Sequence, residues 1–270
     1  MAWSIGLVIM NAVSRWFLLP LVFLVGCAGI FQGSLQLVED EPDRRKVFQA
    51  LRQKESTIRT LRGLFQASIS GSGVPLSQNV LGTVSYVHPD ILDLKTFIRM
   101  GVPVMTFHRR GNEYELYLSG EDKVITGRVD EPQERSPWDH TVMLSLRALD
   151  AMLGKVSGVG DEEARVWKNN EHYRIDLAAN PSSSISSQDE FTVRTWVDVQ
   201  TLDLTSIEYR RSFDDIVVFV ECEDYREVKV ATGEESAPVR LPFLVRATDY
   251  RPSGGSITLH FKEFIVNAAS

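Results

Sequence analysis

Alternation of apolar and polar residues with a period of two constrains this chain more than any other feature. Leu92-Asp93-Leu94-Lys95-Thr96-Phe97-Ile98 alternates in this way, as a strand with one buried face does. In the first half we read strands at Leu64–Ser70, Val80–Val87, Leu92–Ile98, Val104–Phe107, Tyr114–Leu118 and Lys123–Gly127. In the second half we read Ala164–Trp167, Tyr173–Leu177, Phe191–Val197, Thr205–Arg211, Ile216–Cys222, Leu241–Thr248 and Ser256–Phe264. Turn signals such as Gly71-Ser72-Gly73, His88-Pro89-Asp90 and Arg109-Arg110-Gly111-Asn112 separate them. About 12–13 short strands at roughly ten-residue spacing argue for an antiparallel barrel or sandwich.

Two segments break the period. Pro42 suits the first turn of a helix capped by Asp40 or Glu41. Val47, Phe48, Leu51, Ile58, Leu61 and Phe65 follow at helical spacing, and Arg44, Arg45, Lys46, Arg52, Lys54 and Arg59 form its polar face. The helix gives way to strand around Thr60 to Gly63. A second helix places Val142, Leu146, Leu149, Met152 and Leu153 on one face. Asp139 or Thr141 caps it, and Gly154 ends it.

The N-terminus has a different logic. Arg15 precedes about 11 apolar residues that end at Gly26-Cys27, too few for the roughly 20 of a membrane-spanning helix. This is the layout of a secretory leader. Leu24-Val25-Gly26-Cys27 resembles the bacterial lipobox, in which the Cys thiol is acylated and the peptide is cut before it. The resemblance implies a signal peptide over 1–26, lipidation at Cys27, a tether over 27–40 and a folded domain over 41–270. An uncleaved anchor is the rival reading, because Ser4 to Met10 is also largely apolar. Met10 is a second candidate start, and N-terminal mapping of the precursor decides between it and Met1. Ala28 after the modified Cys resembles the sorting signal for the outer membrane. The body would then face the periplasm, held by two or more acyl chains where one is marginal.

The net charge of −7 becomes −8 once Arg15 leaves with the leader. An acidic chain lacks the basic footprint of nucleic-acid binding. Cys27 and Cys222 are the two cysteines. With lipid on Cys27, no intramolecular disulfide forms, and Cys222 in Ile216–Cys222 is expected to be buried as a small hydrophobe. The five histidines show no metal-ligand spacing, and His260 is expected to face away from Leu259 and Phe261. Acidic clusters such as Asp161-Glu162-Glu163 and Glu234-Glu235 fall at turns or loops, where solvated charge is the default. Neither a phosphate loop nor a Gly-x-Ser-x-Gly elbow occurs. We expect no enzyme, no cofactor and no metal.

The order helix, antiparallel run, central helix, second antiparallel run is similar to the LolA/LolB lipoprotein-carrier superfamily, over roughly Val47–Asn267. Leu61-Arg62-Gly63-Leu64-Phe65-Gln66-Ala67 resembles its opening strand. Gly82-Thr83-Val84-Ser85-Tyr86 followed by Pro89-Asp90-Ile91-Leu92-Asp93-Leu94 resembles its next signature. Leu241-Pro242-Phe243-Leu244-Val245-Arg246 before Leu259-His260-Phe261 resembles its close. The resemblance implies an α+β fold: an incomplete antiparallel barrel of about 11 strands, closed by helices and holding acyl chains of lipid or lipoproteins. Candidate cavity residues are Phe48, Leu51, Ile69, Leu94, Phe97, Leu116, Leu146, Leu149, Trp196 and Phe219. Met100 and Val102 match the region where LolB carries a membrane-contacting apolar residue. A hairpin folding back onto the body is the bland reading of those two. Two functions stay open: carriage of an apolar ligand at the outer membrane, or a packed structural lipoprotein that docks other envelope proteins. A continuous apolar cavity would favour the first, and a filled interior with an exposed apolar patch the second.

Overall fold

A computed structural model describes residues 34–71, 78–98, 101–120, 122–129, 137–155, 164–177, 192–212, 214–231, 237–252 and 254–268. Their strands form one sheet, in the order β1-β8-β9-β10-β11-β12-β13-β14-β2-β3-β4-β5-β6-β7. The first half comprises β1 (Gln36–Leu37), β2 (Thr60–Gly71), β3 (Gln78–Val87), β4 (Ile91–Phe97), β5 (Pro103–Arg110), β6 (Glu113–Leu118) and β7 (Lys123–Arg128). The second comprises β8 (Arg165–Lys168), β9 (His172–Leu177), β10 (Thr192–Asp198), β11 (Leu204–Ser212), β12 (Asp215–Val228), β13 (Val239–Asp249) and β14 (Gly255–Val266). Strands β2–β7 form one antiparallel meander and β8–β14 another, with β1 added to the outer edge of β8. The two halves join where β14 pairs β2, from Gly255 opposite Gly71 to Val266 opposite Leu61.

Two expectations need correction. The sheet holds 14 strands among the described residues, where about 11 were expected, and it is open: β1 and β7 are its edges. The strand that sequence reading missed is β1, two residues too short to show any period. It lies in the stretch read as tether, pairing Gln36 with Lys168 and Leu37 with Trp167. β12 also runs six residues past Cys222, where Glu223-Asp224-Tyr225-Arg226-Glu227 looks like a turn. Asp224, at φ 54, has no partner between Glu223 opposite Leu244 and Tyr225 opposite Pro242. The register is unchanged across it, so Asp224 lies across from Phe243 and the ladder skips that one pair.

Among the described residues two helices complete the fold, α1 (Glu41–Thr57) and α2 (Pro137–Met152). Glu41, Pro42 and Asp43 favour the first turn of α1, although Asp40 makes no side-chain cap bond. α1 buries Val47, Phe48 and Leu51. α2 is apolar nearly all round: Val142, Leu144, Leu146, Ala148, Leu149, Ala151 and Met152 are buried, as befits a helix enclosed by protein. Gly154, at φ 74, ends it in the left-handed conformation that glycine adopts freely. α2 connects β7, at one edge, to β8, beside the other edge. The connection must therefore cross the sheet, and α2 packs on β11, β12, β13 and β14. We call the face it covers the inner face. Among the described residues, no helix is long and apolar enough to cross a membrane.

Candidate functional site

The inner face and α2 enclose an apolar cleft. β2 contributes Phe65, Ala67 and Ile69; β14 Ile257 and Leu259; β4 Leu94 and Thr96; β5 Met105 and Phe107. α2 supplies Thr141, Val142, Ser145, Leu146 and Leu149. Parity explains the strand set, because every second residue of a strand points the same way. β3 lies between β2 and β4 but leaves its place to a neighbour. A Cβ on Gly82 would lie 2.3 Å from Cζ of Phe65, so the Phe65 ring folds across β3 at the one position that admits it. Phe65 also packs edge-on to Phe261, with centroids 5.8 Å apart.

The cleft is narrow. Its free volume is about 30 Å³, room for one or two water molecules. Ion clusters stand at its two ends. Arg109 of β5 reaches Asp150 of α2 at 3.3 Å and Asp90 at 3.5 Å. Lys155 meets Asp90 at 3.1 Å and also donates to the Pro89 carbonyl. Burial raises the Asp150 carboxyl above its ordinary pKa, against the opposing pull of Arg109 and Lys155. At the other end, Arg251 holds Asp249 with Nη2 at 2.6 Å, and His140 of α2 lies 3.7 Å from the same carboxylate. Burial would raise Asp249, but hydrogen bonds from the Arg251 side chain and backbone outweigh it and leave the pKa lowered.

Of the ten expected cavity residues, Ile69, Leu94, Leu146 and Leu149 line the cleft. Phe48, Leu51 and Leu116 are buried in the same core but away from it. Phe97, Trp196 and Phe219 are half-buried and lie elsewhere. A register shift between Thr96 and Phe97 turns Phe97 out of line. Trp196 has the parity of Arg194, opposite to buried Thr195 and Val197, and its indole N–H donates to Glu208 at 2.8 Å. Phe219 sits opposite that same Glu208; the unbroken run Ile216–Val220 carries no sign of which residues point inward. Phe65, Ala67, Met105, Phe107, Ile257 and Leu259 were missed, although each follows by parity from Ile69 or Leu94 through the ladders.

Val102 follows Gly101, at φ 73, and is 49% exposed. It lies in the β4–β5 connection beside Thr96 and Met105. Met100 and Cys27 lie outside the described residues, as does the leader. Cys222 is buried, and burial pushes its thiol up to about 12. His260 is exposed between buried Leu259 and Phe261. No group of three or more His, Cys, Asp or Glu among the described residues could hold a metal ion.

A second depression, about 460 Å³, lies on the opposite face of the sheet. Leu64 and Ile265, both exposed, lie there among Arg62, Asp93, Lys95 and Glu263.

Solved structures share this fold. A proposed outer membrane lipoprotein-sorting domain from Vibrio parahaemolyticus superposes with a TM-score of 0.54 at 11% identity, over 83% of this chain and 92% of that one. A DUF1329 family protein from Desulfovibrio piger gives 0.53 at 14% identity, over 85% and 94%. A LolA superfamily protein from Nitrosomonas europaea gives 0.49 at 11%, over 82% and 94%; the shared fold rests on the first two. No protein family and no curated protein matches the sequence. The chain thus shares its fold with a proposed outer membrane lipoprotein-sorting domain and a DUF1329 family protein.

Proposed function

We propose that this protein binds an acyl chain, of a lipid or of a lipoprotein, between α2 and the inner face, and carries or inserts it at the bacterial outer membrane. The observation that supports this reading is the cleft itself, whose lining contains no charged residue. Ligand sites are mostly apolar with a few placed polar groups, and this one lies under a single helix that packs on β11–β14 and carries ion pairs at both ends. A cleft that admits about 30 Å³ is too tight for an acyl chain, so binding requires α2 to move off β2, β4 and β5. The lipobox-like Cys27 supports a lipid anchor, with the body facing the periplasm. Exposed Ile98 and Val102, at the Thr96–Met105 end of the cleft, suit contact with the membrane, with Met100 in the same connection.

Docking of an envelope protein has its own supporting observation, the open depression around Leu64 and Ile265. We rank it second because that surface is flanked by both signs of charge and is no more apolar than ordinary protein surface.

Native mass spectrometry of the purified protein, followed by lipid extraction, tests the choice. Lipid at fixed stoichiometry, lost in Leu146→Trp and Leu149→Trp variants that remain folded, is the expected result. A clean protein mass with no uptake of added lipid or acylated peptide would sink carriage and leave docking.

A further inference from the structure

α1 buries one side and turns the other to solvent, and the solvent side is basic. Carboxylates crowd its start, at Glu39, Asp40, Glu41 and Asp43. Beyond the first turn the exposed residues are Arg45, Lys46, Gln49, Arg52, Gln53 and Ser56, and Arg59 is exposed just past the helix. Helical spacing sets Arg45, Gln49, Arg52 and Ser56 in one stripe. Glu55, the one acid of that stretch, is half-buried and shares the side of Phe48 and Leu51. Arg45 pairs with Glu41 at 3.0 Å, but the two side chains are 75% and 58% exposed, and such a pair holds its cation weakly. Helix stability does not account for the stripe, because the dipole favours cations only in the last turn, where Lys54 stands.

The path of the chain is a second, independent observation. β1 is seated on β8, with Gln36 opposite Lys168 and Leu37 opposite Trp167. The start of α1 is clamped to the same place: Arg44 Nη2 donates to the Ala164 carbonyl at 3.1 Å, and Lys168 meets Asp43 at 2.7 Å. Nine residues separate Cys27 from Gln36, and a chain of that length reaches at most about 32 Å. Charge acts through physiological salt over only about 8 Å, so a basic face serves at a membrane only where something holds it close. A lipid on Cys27 does so for α1. Resting on the lipid-anchor reading above, we infer that the outer side of α1 lies on anionic phospholipid headgroups of the leaflet that holds the anchor. Arg45, Lys46, Arg52 and Arg59 meet lipid phosphate, and the stripe brings no apolar residue to insert. The whole chain carries −7, so the same leaflet repels the rest of the body, and α1 sets its orientation. This contact is separate from that of Ile98 and Val102, whose apolar side chains do not read lipid charge.

The acylated protein, in phosphatidylcholine vesicles with and without phosphatidylglycerol, tests this. A fluorophore on Gln49→Cys reports the stripe, since Cys222 is buried, and one on exposed Glu115→Cys of β6 serves as control. Quenching by neutral acrylamide should fall for the Gln49→Cys label only where phosphatidylglycerol is present, and high salt should restore it. Arg45→Gln, Lys46→Gln, Arg52→Gln and Arg59→Gln should each lower the ratio of docked to free α1 about fivefold. Val102→Glu should leave that ratio unchanged. Equal quenching on both vesicles, or a ratio indifferent to the four substitutions, overturns the inference, while a protein that still floats with the vesicles keeps the anchor reading. Shielding in isolated cell envelopes but on neither vesicle would give the stripe to an acidic protein and overturn the inference too. An intact mass with unmodified Cys27, and protein that stays off both vesicles, would end the anchor reading and this inference with it.

Discussion

Lys54 stands on α1 with Arg44, Arg45, Lys46 and Arg52, yet only 11% of its side chain is exposed. Its ammonium lies 3.6 Å from Asp203 and 4.6 Å from the centre of the Tyr225 ring, and it makes no hydrogen bond among the described residues. Burial lowers its pKa, against the attraction of Asp203. Unfolded, the group titrates near its ordinary 10.5. Between the lowered folded value and that one, the unfolded chain binds the extra proton, so stability rises with pH across the window. Urea midpoints from about pH 7 to about pH 9.5 should show this rise in wild type and lose it in Lys54→Met. At neutral pH the variant should be as stable or more so, because Asp203 keeps Arg240 at 2.8 Å and a buried ion pair often exceeds its gain in desolvation cost. Asn267 acts oppositely, through bonds that no local pattern announces. Its Oδ1 accepts from the Arg59 and Thr60 amides at 2.8 and 3.0 Å, and its Nδ2 donates to the Thr57 carbonyl at 2.8 Å. It thereby fixes the corner between α1 and β2 from the far end of the chain. Asn267→Ala should cost about 2–3 kcal/mol in chemical denaturation; a loss under half a kcal/mol would show that water replaces these bonds.

At the scale of elements, what was legible followed periodicity. All 13 strands read from alternation exist, both helices fall where the apolar spacing and Pro42 and Gly154 put them, and the errors sit where a bulge, a two-residue strand or an unbroken apolar run erases the period. The cleft was half legible for the same reason. Leu146 and Leu149 follow from the helical spacing of α2, whereas the choice of Phe97, Trp196 and Phe219 followed side-chain size, and size does not tell which face of a strand a residue takes. Long-range pairing was illegible: nothing local joins Arg109 on β5 to Asp150 on α2. That pair is the principal charged tie at the C-terminal end of α2. Arg109→Met would leave the Asp150 carboxyl buried beside a more distant Lys155, at a cost on the order of 3 kcal/mol. Hydrogen exchange should report it as faster exchange of the amides of residues 149–155, with β13 unchanged. Uniform loosening of the whole sheet would instead assign the pair to global stability and not to the seating of α2.

For the whole molecule, the decisive joint is β14 against β2, where the last strand lies beside the first long one. The two meanders share that ladder, and α2 links their outer strands across the inner face. Phe65 of β2, Phe261 and Phe264 of β14 and Phe243 of β13 stack through the joint, with Phe261 and Phe264 4.6 Å apart and Phe243 and Phe264 5.1 Å apart. No cut between strands separates one half without exposing this cluster to water. Unfolding should therefore be a single transition. Outside the leader the tryptophans are Trp138 in α2 and Trp167 and Trp196 in the second meander, so tryptophan fluorescence of a Trp138→Phe background weights that half, whereas far-ultraviolet circular dichroism reports both. The two urea curves should superimpose, with one midpoint and one slope. Gly82→Ala sharpens the test, because its Cβ displaces the Phe65 ring from the first meander's side of the joint, at about 1–3 kcal/mol. Under strong coupling it must lower the fluorescence midpoint as much as the dichroism midpoint, although Gly82 and Phe65 contact neither tryptophan strand. A shift confined to dichroism would mean that the meanders unfold separately, and that β14 against β2 is an interface between two folding units.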